Sequence, residues 1–151
     1  MLVILFLLSA LTGLQAGQGE SPRDVARVAQ HAFEHDSAGP VASGWTARLL
    51  RDSSDRAAAL GLATLAALRH DSLEAHKAYQ RLITTLPSTD PYRIQALIGL
   101  GMVELWNVSF DTSAARFAEA ADLAAQTGDR SARATALGFL GFLRSRLTGM
   151  T

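Results

Sequence analysis

The 151 residues predict an all-α fold built of antiparallel helical hairpins. Three observations carry this. Beyond residue 16 the chain is rich in Ala, Leu and Arg, which are strong helix formers, and no stretch alternates polar and apolar with period two over a useful length. Helix starts are legible as Ser or Asp placed just ahead of Pro or an acid. The connectors after residue 52 are two to four residues long, which forces consecutive helices to run antiparallel.

The first segment stands apart from that fold. Residues 1–16, MLVILFLLSALTGLQA, precede all 28 charged side chains. The apolar run 2–14 has the length of a signal-peptide core and is shorter than the ~20 residues a membrane-spanning helix needs. Ala16-Gly17 offers a small residue for cleavage, although no Lys or Arg precedes the run and Leu14 is large for its place before the cut. Residues 1–16 are therefore expected to be a signal peptide or an N-terminal anchor. The rest of the chain is then periplasmic or secreted, touching the membrane only through 1–16 if that segment is uncleaved.

Residues 17–53 form an N-terminal helical cap or degenerate repeat. Ser21-Pro22-Arg23-Asp24 supplies a cap hydroxyl, a proline at the first helical position and an acid in the first turn, opening a helix over about 22–36. A Gly/Pro/Ser connector over 37–44 and a shorter helix over about 45–52 follow. Residues 54–151 carry the remaining helices. One covers about 55–70; a second, over 72–86, opens on the capping box Asp71-Ser72-Leu73-Glu74. A third covers 91–108 behind Asp90-Pro91, and a fourth covers 112–127 with Asp111 as cap or first-turn acid. Gly128-Asp129 then separates it from a last helix over 131–147.

A shift of 38 places Gly61-Leu62-Ala63 on Gly99-Leu100-Gly101, Ala75 on Ser113, Tyr79 on Phe117 and Leu82 on Ala120. A shift of 40 places Ala96-Leu97 and Leu100-Gly101 on Ala136-Leu137 and Leu140-Gly141. Small residues at 63, 101 and 141 let paired helices approach closely, and the rings at 79 and 117 fill the groove so made.

This size pattern resembles the tetratricopeptide repeat (TPR). The first-helix pair Leu-Gly appears as Leu62-Ala63, Leu100-Gly101 and Leu140-Gly141. The second-helix pattern appears as Ala75, Tyr79, Leu82 and as Ser113, Phe117, Ala120, with Pro87 as a closing proline. Gly128-Asp129-Arg130 is similar to the longer variant of the family. Ala59, Glu104, Arg144 and Ala125 depart from its pattern. The resemblance implies a TPR-like right-handed solenoid and a non-catalytic scaffold that binds another protein or peptide. Its implied groove is formed by Gln95, Ile98, Met102, Leu105 and Trp106 from one first helix and by Thr135, Gly138, Phe142 and Arg146 from the next. No cofactor or metal is implied. The last helix has no second helix after it, so Leu137, Leu140, Phe142 and Leu143 need cover. Self-association through this open end is one expectation. The alternative is an N-terminal sensor or scaffold part of a larger protein, as in arrays fused to caspase-like peptidase, kinase or transcription-regulator domains.

Other chemistries are thinly represented. Fourteen basic and fourteen acidic residues leave no broad electrostatic footprint for nucleic acid, and the absence of cysteine removes disulfides and thiolate chemistry. His31-Ala32-Phe33-Glu34-His35 matches the HxxEH pattern of zinc peptidases, but Glu34 points nearly opposite the apolar stripe of its helix and His31 lies on the polar side. Gly99, Gly101, Gly138 and Gly141 fall inside helices and read as packing contacts. Thirteen Arg to one Lys, with abundant Ala, points to a GC-rich bacterial source.

Overall fold

The computed structural model describes residues 20–148, which fold into seven helices and, among those residues, no strand. They are α1 (Pro22–Glu34), α2 (Ala38–Arg51), α3 (Arg56–Leu68), α4 (Ser72–Thr85), α5 (Pro91–Trp106), α6 (Phe110–Thr127) and α7 (Arg130–Thr148). The segment 1–16 expected to direct export lies outside the described residues. No described helix is long and apolar enough to cross a membrane.

The caps follow the sequence closely. Ser21 accepts from the Asp24 N–H at 3.1 Å, Asp55 from Ala58 at 2.9 Å, Asp71 from Glu74 at 3.2 Å, Asp90 from Tyr92 at 2.8 Å and Asp129 from Ala132 at 3.0 Å. Each bond satisfies an N–H that the first helical turn leaves without a partner. At α6 the cap position falls to Ser109, whose side chain makes no capping bond, and Asp111 serves as the first-turn acid. One element differs from expectation. The Gly/Pro/Ser stretch 37–44 is no connector, because α2 begins at Ala38. Pro40 falls in the first turn, where its missing N–H has no intrahelical partner to lose, and Gly39 and Gly44 face open space.

Three turns repeat one geometry. Asp36 (φ 53°), His70 (φ 59°) and Val108 (φ 60°) are left-handed and sit between α1 and α2, α3 and α4, and α5 and α6. The N–H that follows each closes back five residues, from Ser37 to the Ala32 carbonyl at 2.8 Å, from Asp71 to Ala66 at 3.0 Å and from Ser109 to Glu104 at 2.9 Å. This is the Schellman closure. The left-handed residues stand 34 and then 38 positions apart, and so do the rings Trp45, Tyr79 and Phe117. The hairpin α1–α2 therefore repeats the construction of the two that follow.

The rings are the packing units. Trp45, Tyr79 and Phe117 are each buried, with 3%, 3% and 0% of their surface exposed. Each occupies a place where a glycine lacks a side chain. A methyl at Gly61 would come within 2.6 Å of the Trp45 ring, one at Gly99 would overlap the Tyr79 ring, and one at Gly101 would come within 2.9 Å of Phe117. The Tyr79 ring thus enters the notch of the following first helix, and its hydroxyl donates to Thr64 of α3 at 3.3 Å. Burial pushes that hydroxyl up to about 12, against the smaller lowering by Thr64, so it stays a donor. Phe117 stacks on Phe139 of α7, with centroids 4.8 Å apart. The packing of neighbouring hairpins through equivalent rings is consistent with a helical repeat.

Polar ties gather the starts of α1, α3, α5 and α7. The Tyr92 hydroxyl donates to the Glu20 carbonyl, and the Arg23 guanidinium reaches Asp129 at 2.9 Å. Arg48 of α2 holds Glu20 at 3.2 Å and Asp55 at 2.8 Å, and Arg56 holds Asp90 at 2.5 Å. Burial alone would raise the Asp55 carboxyl, but hydrogen bonds from Arg48 and from the Ala58 N–H outweigh it and hold the group below its ordinary range.

Candidate functional site

A groove of about 940 Å³ opens between the end of α5 and one face of α7. Five residues expected from the sequence meet there: Leu105, Trp106, Thr135, Phe142 and Arg146. Gly138, also expected, lies on the same wall. The walls are mostly apolar. Trp106 and Phe142 keep 44% of their surface exposed, an unusual state for two large aromatic side chains facing one cleft. The Arg146 guanidinium lies over the Phe142 ring, 5.2 Å from its centroid, and is the only charged group among the described residues that line the groove. The His70 ring flanks Trp106 at 5.9 Å.

The other three expected residues lie elsewhere. Gln95, Ile98 and Met102 line a separate cavity of about 150 Å³, which Trp106 also borders. Ile98 is buried, with 4% exposed, so it is a core residue rather than a contact surface. Ala26 of α1 lines this cavity too, because α1 packs against both α3 and α5. The sequence reading treated the first helix as a cap and had no means of placing it over α5.

The structure adds Val108, Phe110, Ala134 and Phe139 to the groove. Val108 is exposed and left-handed, a backbone state that is costly for a β-branched residue. No sequence signal marks it except its position at the end of the helical apolar pattern. Replacing Val108 with Gly should raise stability by about 0.5–1 kcal/mol, since relief of the left-handed strain exceeds the added chain entropy. Chemical denaturation of the two proteins measures this, and a less stable variant would show that the turn carries no strain.

Positive charge is concentrated on α7. Four of the fourteen basic residues, Arg130, Arg133, Arg144 and Arg146, and none of the acidic ones lie in α7. That helix therefore carries a side-chain charge of +4 while the remainder carries −4.

The histidine motif forms no enclosed site. His31 and His35 are exposed with ring centroids 4.2 Å apart, and Glu34 accepts a hydrogen bond from Gln30 at 2.6 Å. Among the described residues no three His, Cys, Asp or Glu side chains gather where they could hold a metal. Glu104 is one of the positions that depart from the repeat pattern. It is buried, with 7% exposed, between His76 at 3.9 Å and Arg116 at 3.6 Å, and its Oε2 has no hydrogen-bond partner. Both distances exceed hydrogen-bonding range, so it is a packed charge facing Arg116.

Neither family models, curated proteins nor solved structures yield a match to this chain.

Proposed function

We propose that this chain is a non-catalytic protein-binding scaffold of the tetratricopeptide type, exported or facing the cell envelope, that holds a peptide of another protein between α5 and α7. One observation carries the reading: two half-exposed aromatic residues, Trp106 and Phe142, share an apolar groove of about 940 Å³. Large, rigid rings with a nearby arginine are what peptide-binding surfaces use as anchors. A fitting ligand presents an aliphatic or aromatic side chain to the Trp106–Phe142 wall and a carboxylate to Arg146. The right-handed solenoid belongs to the same proposal and is supported by the ring-and-turn repeat at 34 and 38 positions. Export rests on the composition of residues 1–16.

Partners captured from an envelope fraction by the purified protein test the reading. Trp106→Ala should weaken binding of an identified partner at least tenfold, with helical circular dichroism unchanged, because removing a central aromatic anchor costs about 2 kcal/mol or more. Unchanged affinity would remove the groove from consideration.

A further inference from the structure

The two histidines of α1 take no part in the groove, and both are exposed. His31 and His35 stand four positions apart, which puts them one turn apart on one face of a helix. The helical spacing is kept there, because the His35 N–H donates to the His31 carbonyl at 3.1 Å. The rings converge, with centroids 4.2 Å apart and a tilt of 48°. Apart from this contact, neither ring has a hydrogen-bond or ion-pair partner among the described residues. Glu34, between them in sequence, accepts from Gln30 at 2.6 Å and is engaged there. Two neighbouring imidazoles with nitrogens left free are a chelating pair for a metal ion.

We infer that His31 and His35 form an open site for one divalent transition-metal ion, holding copper(II) more tightly than nickel(II) or zinc(II). The spacing of the rings selects the geometry. With metal–nitrogen bonds of about 2.0–2.1 Å an ion sits about 3.2 Å from each centroid, and rings this close then set their two bonds roughly 80–90° apart. That is the angle between adjacent ligands of a square or octahedral ion, narrower than the tetrahedral angle zinc prefers. Imidazole nitrogen also follows the general order of affinity that peaks at copper(II). The two side chains supply all the protein ligands, so water fills the other positions and the site stays accessible. Its place favours a cation as well. His31 lies in the last turn of α1 and His35 caps it, at the negative end of the helix dipole. An ion bridging the two closes that turn just ahead of the left-handed Asp36 that leads into α2. The unfolded chain does not hold the two rings one turn apart, so the ion stabilises the folded state. This site is independent of the Trp106 groove.

The test uses the untagged full chain, titrated calorimetrically with copper(II), nickel(II) and zinc(II) sulfates. A site of one ion per chain should appear, tightest for copper(II). His31→Ala and His35→Ala should each weaken it at least tenfold, because the second imidazole binds as a tethered ligand at high effective concentration. His70→Ala and His76→Ala, which remove the other two histidines, should leave it within about twofold. Paramagnetic resonance of the copper(II) form should show coupling to two nitrogens, falling to one in either α1 variant. Saturating nickel(II) should raise the thermal midpoint of the wild type and not that of His31→Ala, whose circular dichroism without metal should match the wild type. Affinities in both α1 variants within twofold of the wild type mean an adventitious ion only and overturn the inference. So does a copper(II) signal from a single nitrogen, or tighter binding of zinc(II) than of copper(II). One ion per two chains, with a dimer seen by sedimentation, also overturns it, because the site is then completed by a second copy.

Discussion

Phe117→Ala should lower stability by about 3–5 kcal/mol, the range for emptying a buried aromatic site that cannot collapse. The side chain is 0% exposed and is enclosed by three helices: its own, α5 at Gly101 and α7 at Phe139. Helical backbones on either side hold the cavity open. Against a total of about 5–15 kcal/mol for an ordinary domain, the loss should bring the midpoint down by roughly 10–20 °C. A second substitution identifies the cause. Gly101→Ala in the wild-type protein should be destabilising, because its methyl would come within 2.9 Å of the ring. In the Phe117→Ala background the same methyl enters free space and should cost little or recover some stability. This non-additivity, measured by denaturant melts of all four proteins, reports the ring-in-notch contact itself. Equal effects of Gly101→Ala in both backgrounds would show that the ring does not occupy the notch.

Arg48→Met should cost about 3 kcal/mol near neutral pH. Arg48 is bonded to both Glu20 and Asp55, and 12% of its side chain and 12% of that of Asp55 are exposed. Methionine keeps most of the packing but leaves a mostly buried carboxylate without its charge partner. The pH dependence separates this from a packing defect. Asp55 has a folded pKa held below its unfolded value, so its contribution is fully present above about pH 4 and is lost as pH falls through the depressed folded pKa. The stability gap between wild type and variant should therefore be largest near neutrality and narrow as the solution is taken to pH 3. A gap independent of pH would assign the loss to packing alone.

Much of the fold was legible because it is written in local chemistry. Asp71, Asp90 and Asp129 are caps by their side chains alone, and Gly128 closes α6 with the positive φ that its lack of a side chain permits. The rings at 79 and 117 announced themselves by spacing. Trp45 did not, because its step to Tyr79 is 34 rather than 38 and its helix starts with Gly39 and Pro40, which read as breakers. What propensity scored as a loop, burial of Trp45 against Gly61 holds as a helix. Of the candidate site, Trp106, Phe142 and Arg146 were named because the resemblance to the tetratricopeptide repeat implied them as groove positions, and the structure brings them together. Val108 was missed because a left-handed turn residue is chosen by tertiary packing, and Ile98 was misplaced because no spacing rule shows that α1 packs against α5.

The contact between Arg23 and Asp129 spans 106 positions of the chain. A row of hairpins that touch only their neighbours melts piecemeal, fraying from whichever end is weaker. Here the start of α1 is bonded to the cap of α7, and Glu20 is tied to Tyr92 on the way. Loosening the last helix therefore strips a bond from the first. Such ties between distant ends favour one all-or-none unfolding event over gradual unzipping.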